Sequence, residues 1–244
     1  MSLISLLQEF DGKELGEDDA GLPVIGKLLP GLMKAEFQEL QGMIPCQIPA
    51  SARELLSLTR GIEPALDLMD FSGLRLQSAW KKKDFLPHAI PVAGDGMGNY
   101  WVVDLEAKSK DWGPVFYISE DPPVLAWQAK TFEEFVSQLI AFASFEEGSP
   151  INLVHDQYTP VIWQENPSWI SAEKAITPGD PDLGLFVQSL KKGYQFIDLR
   201  RGRHGDGFSW GRWGSKTDLQ RNGTQRLFAM RKTPGFIQKL FLGY

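Results

Sequence analysis

The residues of this chain with the widest chemical repertoire are three histidines, His88, His155 and His204, and one thiol, Cys46. None stands at His-x-x-His, Glu-x-x-His or Cys-x-x-Cys spacing, so no zinc site is expected. A lone cysteine forms no intrachain disulfide, and Cys46 reads as a small, semi-buried hydrophobe. A nucleophile is offered by Gly207-Phe-Ser-Trp-Gly211, which matches the Gly-x-Ser-x-Gly elbow of hydrolases. That elbow should follow an apolar strand, open a helix and precede its histidine. Here Arg201-Gly-Arg-His-Gly-Asp comes before it and no histidine follows Ser209, so His204, Asp206 and Ser209 read as parts of a Gly-rich turn. Gly94, Gly96 and Gly98 in GDGMGNYWVVDL suggest a phosphate loop, yet the following Tyr100–Leu105 continues as a strand where a helix N-terminus is required. The expectation is a hairpin turn with Asp95 and Asn99 making turn hydrogen bonds. Asp95 and Asp104 could share a cation across it, but they supply too few oxygens for calcium. No cofactor and no metal is expected.

The segment RRGRHGDGFSWGRWG interleaves Arg200, Arg201, Arg203 and Arg212 with Phe208, Trp210 and Trp213. Stacking aromatics among basic groups suit single-stranded nucleic acid. The same residues on a strand pair could place aromatics inward and arginines outward, or face an acidic protein surface. Arg200, Arg201, Arg203, Trp210, Arg212 and Trp213 are therefore a candidate C-terminal binding surface, with nucleic acid not the expected partner.

These residues need elements to hold them. Met33, Phe37 and Leu40 share a helical face, and Ser51-Ala-Arg-Glu54 has capping-box spacing ahead of Leu55, Leu56 and Leu58, with Gly61 at the expected C-cap. From Ala65 the pieces shorten to ALDLMDF, SGLRLQ, HAIPVAG, NYWVVDLE, PVFYIS and VLAWQ, strand-like runs separated by Gly, Pro and Asp. A second capping box, Thr131-Phe-Glu-Glu134, opens a helix whose Phe132, Phe135, Val136, Leu139, Ile140 and Ala143 should lie on the sheet. The fold class expected is α+β, a twisted, mostly antiparallel sheet packed by helices. EEGSP at 146–150 is the best boundary, dividing residues 1–147, with a helical lead-in, from a C-terminal domain or extension at 148–244. Residues 151–182 read as loops and short strands, a helix is expected at DLGLFVQSLKKG, and the remainder as a strand-rich extension.

Charge divides at the same place. Residues 1–150 carry 12 Lys/Arg against 23 Asp/Glu, and residues 151–244 carry 13 against 8. An acidic body attracts basic macromolecules and repels nucleic acid. MSLISLLQEF lacks the basic region and apolar length of a secretion signal, and no run approaches a membrane span, so a cytoplasmic location is expected.

In order, LLPGLMKAEFQEL, IPASARELLSLTRGI, HAIPVAGDGMGNYWVVDLE, GPVFYISEDPPV and TFEEFVSQL resemble the SUKH superfamily, which joins yeast cell-wall-assembly regulators to bacterial toxin-immunity proteins. The hairpin with its Asp-Pro-Pro step is the specific part, and the likeness runs from about Leu28 to Glu147. Relatives commonly carry His before Asp-Pro-Pro, whereas Glu120 stands there in this chain. The resemblance implies a non-enzymatic protein-binding module, foremost an immunity protein that neutralises a toxin, for instance a nuclease. The alternatives are a regulatory scaffold of cell-wall or envelope assembly and an enzyme with its site in the C-terminal segment. The expected partner contacts are Asp95, Asn99, Trp101, Asp104, Glu120 and Asp121.

Overall fold

The computed structural model describes residues 2–80, 84–106, 112–176 and 179–233. Helix α1 (Leu3–Phe10) leads into a small antiparallel pair, β1 (Glu14–Glu17) with β2 (Pro23–Ile25). A second pair joins β3 (Lys27–Pro30) to β4 (Thr59–Glu63) across α2 (Lys34–Met43) and α3 (Ala50–Leu58). The central sheet follows: β5 (Leu68–Met69), β6 (Ala89–Gly94), β7 (Tyr100–Asp104), β8 (Val115–Glu120) and β9 (Pro123–Ala129), each antiparallel to its neighbour. Helix α4 (Phe132–Ala143) packs on it with the apolar stripe expected, and the Thr131 hydroxyl accepts the Glu134 N–H (3.2 Å).

Period-two alternation in these strands sends side chains to two opposite cores. Trp101, Val103, Val115, Tyr117, Val124 and Ala126 face α4 and the N-terminal helices. Val102, Phe116, Ile118, Leu125 and Trp127 face the other way, into a core shared with Ile197, Leu199, Phe208, Phe228 and Met230. Covering these five sheet residues is worth on the order of 10 kcal/mol, at about 1.5–3 kcal/mol per large apolar side chain. The C-terminal segment supplies that cover together with Trp80, Phe85 and Leu86.

It begins with α5 (Pro150–Asn152), which passes through a π-helical turn (Leu153–Tyr158) into α6 (Thr159–Glu165), then α7 (Ala172–Ala175) and α8 (Pro181–Ser189). The chain finishes with β10 (Gln195–Asp198), β11 (Gly207–Phe208), β12 (Thr217–Arg221) and β13 (Leu227–Lys232). Strands β10, β13 and β12 form their own antiparallel sheet, while β11 pairs with β9 and extends the central one. Backbone bonds from Trp127 N–H to Asp206 O (2.7 Å) and from Gly205 N–H to Trp127 O (2.9 Å) lengthen that seam. The fold is α+β, and a second core joins residues from both sides of the proposed boundary at 146–150.

Several local expectations are corrected. Residues 151–165 are helical, because prolines sit where helices tolerate them: Pro150 and Pro160 both fall in a first turn. SGLRLQ forms turns, organised by the buried Asp70, which accepts the N–H groups of Ser72 (3.2 Å) and Arg75 (2.7 Å) and the Ser72 hydroxyl (2.6 Å). Ser51 does not cap α3, which starts one residue earlier; its hydroxyl donates to Glu133 (2.5 Å). Gly61 lies within β4, wedged between Leu29 and Met69. The apolar stretch 234–244, read as part of the strand-rich extension, lies outside the described residues, as does Pro178.

Candidate functional site

The β6–β7 turn is built by Asp95. One carboxylate oxygen accepts the N–H groups of Met97 (2.9 Å) and Asn99 (3.2 Å), and the other accepts the Asn99 side-chain amide (2.6 Å). Gly96 and Gly98 take the positive φ angles, 74° and 96°, that this tight loop imposes. Asn99 then reaches across the sheet end, its Oδ1 accepting the Glu120 N–H (2.9 Å). The hairpin tip is thereby pinned to the β8–β9 turn, where Glu120 and Asp121 are exposed. Four of the expected partner contacts, Asp95, Asn99, Glu120 and Asp121, meet at this one end.

The other two do not. Trp101 is 1 % exposed, donates its indole N–H to Gln128 (2.9 Å) and packs beside Tyr117, with ring centroids 4.7 Å apart. Asp104 is 0 % exposed and bound by two guanidinium groups: Arg221 pairs with both its oxygens (3.0 and 2.8 Å) and Arg226 with one (2.9 Å). Arg226 also meets Glu106 at 2.6 Å. Both residues are interior supports because strand alternation and this ion cluster consume them. Asp95 and Asp104 therefore share no cation. Two residues at the same end escaped notice in the sequence. Met97, at the tip, is 75 % exposed, and the exposed Asp67 lies against Gly96. A methionine between two turn glycines was the available signal for the first; Asp67 gave none.

The basic, aromatic C-terminal segment is mostly spoken for. Arg200 is bound by Asp180 and Asp198, and Arg212 donates to the carbonyls of Trp163 and Gln164, which close α6, while lying 5.7 Å from the ring centres of Trp163 and Trp169. Trp213 packs on Trp169 at 5.8 Å, and Trp210 donates its indole N–H to Ser119 O (3.1 Å). Arg201 and Arg203 alone of the six are exposed. The continuous candidate surface read from sequence is thus corrected, because three of its members fold inward against helix α6 and the sheet.

Ser209 is fully buried, and its N–H (3.0 Å) and hydroxyl (2.7 Å) both donate to Asn166 Oδ1. Asp206 accepts the Arg203 N–H (2.8 Å), and His204 Nε2 sits 3.0 Å from Pro150 O. These three residues are engaged separately and form no relay. Cys46 is buried, and that burial pushes its thiol up, away from nucleophilic character. Among the described residues no group of three or more His, Cys, Asp and Glu could hold a metal ion, and no helix is long and apolar enough to cross a membrane.

His204 carries a pH dependence. Burial lowers its pKa, outweighing the hydrogen bond to Pro150 O that acts in the opposite direction, and Tyr158 closes over the ring at 5.3 Å. A histidine whose folded pKa lies below its unfolded value binds more protons when unfolded. Its contribution is complete above the ordinary value of 6.5 and is lost as pH falls through that value toward the folded pKa. Urea midpoints of the wild type and His204→Gln should therefore converge, or cross in favour of the variant, between pH 7.5 and pH 5.5. Parallel pH profiles would show that the imidazole stays solvated.

In comparison with known proteins, residues 31–138, from just before α2 to most of α4, match the SMI1 / KNR4 family (SUKH-1). No curated protein matches the chain, and no solved structure does. The matched span holds the whole loop end with Asp67, Asp95, Met97, Asn99, Glu120 and Asp121; the covering C-terminal segment lies outside it.

Proposed function

We propose, from the premise that residues 31–138 belong to the SUKH superfamily, that this chain is a non-enzymatic binding protein of the immunity type, which caps a basic toxin domain with the loop end of its sheet. The observation that carries this reading is the pinned pair of turns. They present an exposed, flexible Met97 within a rim of carboxylates from Asp67, Glu120 and Asp121, on the acidic part of the chain. Methionine suits irregular protein surfaces, and the carboxylates steer a partner whose own surface is basic, as a nuclease that meets phosphate must be. The buried Ser209 and the separate engagement of His204 and Asp206 support a role without catalysis.

The test is capture of partners on the tagged full-length chain from its native cell, followed by assay of the captured protein with and without added chain. A single toxin whose activity is abolished at stoichiometric chain supports the reading; a set of wall-synthesis proteins with no inhibited activity would replace it with the scaffold alternative. With a partner in hand, Asp121→Lys should slow association several-fold at low salt and flatten its salt dependence. Met97→Ser should leave association unchanged and speed dissociation about tenfold, the loss expected when roughly half of a methionine's burial energy is removed. Asp95 is unsuited to charge reversal, because its carboxylate builds the turn.

A further inference from the structure

Helix α4 ends in a way its sequence does not favour. The Glu146 N–H donates to Ala141 O (3.1 Å) and the Phe145 N–H to Phe142 O (3.0 Å), the paired bonds of a Schellman close. Such a close puts the residue after the cap in the left-handed region, where glycine is usual because a side chain there is strained. Here that residue is phenylalanine, at φ 56°. Its ring is 64 % exposed, so burial does not offset the strain. The ring instead forms one wall of a groove of about 340 Å³, whose other apolar walls include Pro64, Ala65 and Phe142. Phe142 packs on the first core and the adjoining Ala143 belongs to it, so this side of the groove is set before anything binds. Ala65 stands two residues before Asp67, which lies against Gly96, so the groove continues the loop end.

Two exposed glutamates, Glu146 and Glu147, rim the groove, and among the described residues neither carboxylate has a hydrogen bond or an ion pair. No lysine or arginine lines it among the described residues. An apolar recess beneath unspent negative charge suits a segment that offers an apolar side chain flanked by lysine or arginine: the recess takes the apolar group and the rim steers the cations. We infer that this groove seats an apolar side chain from a basic segment of the protein partner, with Phe145 held at the surface for that contact. Resting on the protein-binding reading above, this seat supplies an apolar anchor beside the acidic loop end. Phe142, Phe145 and both glutamates lie after residue 138, so the stretch joining α4 to α5 would add to the partner surface what the family-matched span lacks.

The experiment uses the full-length chain with ¹⁵N-labelled phenylalanine and follows the Phe142 and Phe145 amide resonances, assigned through Phe142→Leu and Phe145→Gly. The probes are the peptides acetyl-Lys-Leu-Phe-Lys-amide, acetyl-Glu-Leu-Phe-Glu-amide and acetyl-Lys-Ser-Ser-Lys-amide. The expected result is a saturable shift with the first and none with the other two. Phe145→Gly should keep the urea midpoint at or above that of the wild type, since glycine relieves the backbone angle, and should weaken the first peptide about tenfold, as loss of an aromatic anchor does. Glu146→Lys combined with Glu147→Lys should weaken it several-fold at low salt. An equal response to the first peptide and either of the others, or none to any, overturns the proposal. A lowered midpoint in Phe145→Gly overturns it as well, by making the ring a packing residue. So does self-association of the free chain that perturbs Phe145, in favour of a second copy. A response seen only after Phe236, Ile237, Leu240 and Phe241 are exchanged for serine overturns it in favour of the chain's own C-terminal segment. A peptide response in a chain that captures no toxin would leave the groove standing and sink the immunity reading; an inhibited toxin that Phe145→Gly binds as tightly as the wild type, with no peptide response, would do the reverse.

Discussion

Replacing Asp104 with alanine is expected to lower the unfolding free energy by about 3–5 kcal/mol, the usual cost of breaking a buried ion pair from one side. The carboxylate is fully buried and answers both Arg221 and Arg226, whose guanidinium groups are themselves largely sequestered. Without it two cations remain in a low-dielectric interior, with Glu106 and backbone carbonyls as their remaining acceptors. Asp104→Asn should cost less, since the amide oxygen still accepts one bond. Urea denaturation at neutral pH measures both. A loss below about 1 kcal/mol for the alanine variant would mean that water reaches the cluster and screens it, as at surface pairs. The same cluster ties β12 and the β12–β13 turn of the C-terminal segment to the end of β7, so its loss should be felt on both sides of residue 147.

Phe208→Ala should be similarly costly, about 3–5 kcal/mol for a large aromatic removed from a packed core. Phe208 is fully buried, stands 4.9 Å from Phe228 by ring centres, and belongs to the strand that joins the two segments. The expected outcome in thermal unfolding is one transition displaced as a whole, because Phe208 shares one core with Val102, Phe116, Ile118, Leu125 and Trp127 of the central sheet. Two transitions with only the weaker one displaced would show that residues 148–244 unfold by themselves.

The elements that repeat a simple period were legible in the sequence. The β6–β7 hairpin, β8, β9 and α4 stand where alternation, turn residues and the Thr131 cap placed them. What the strands also carried, unread, was the apolar character of both parities: YWVVD, VFYIS and VLAWQ have no polar face, and such a sheet requires cover on both sides. That requirement accounts for the C-terminal segment without any reference to its function. Trp101 and Asp104 stand among the contacts expected from sequence because turn residues and acidic strand ends could reach a basic partner. Their burial depends on partners more than twenty residues away, Gln128, Arg221 and Arg226, which no local pattern announces. The helical path of 151–165 was hidden by prolines that sit at tolerated first-turn positions. Arg212 belongs to the candidate C-terminal surface read from sequence because its two tryptophan neighbours, Trp163 and Trp169, come from another part of the chain.

The short strand β11 has a meaning beyond packing. Strand β9 is seven residues long, and on its outer side it would offer a row of unpaired amides and carbonyls to any extended peptide, a second copy of this chain included. The stretch from Gly205 to Phe208 occupies the middle of that row, and Gly207 fits only because it lacks a side chain that would strike the Leu125 carbonyl. Two residues of pairing are enough to interrupt edge-to-edge stacking. A substitution at Gly207 would thus act less through lost contacts than by opening a template for self-association, with turbidity growing in proportion to concentration while the hairpin end kept its shape.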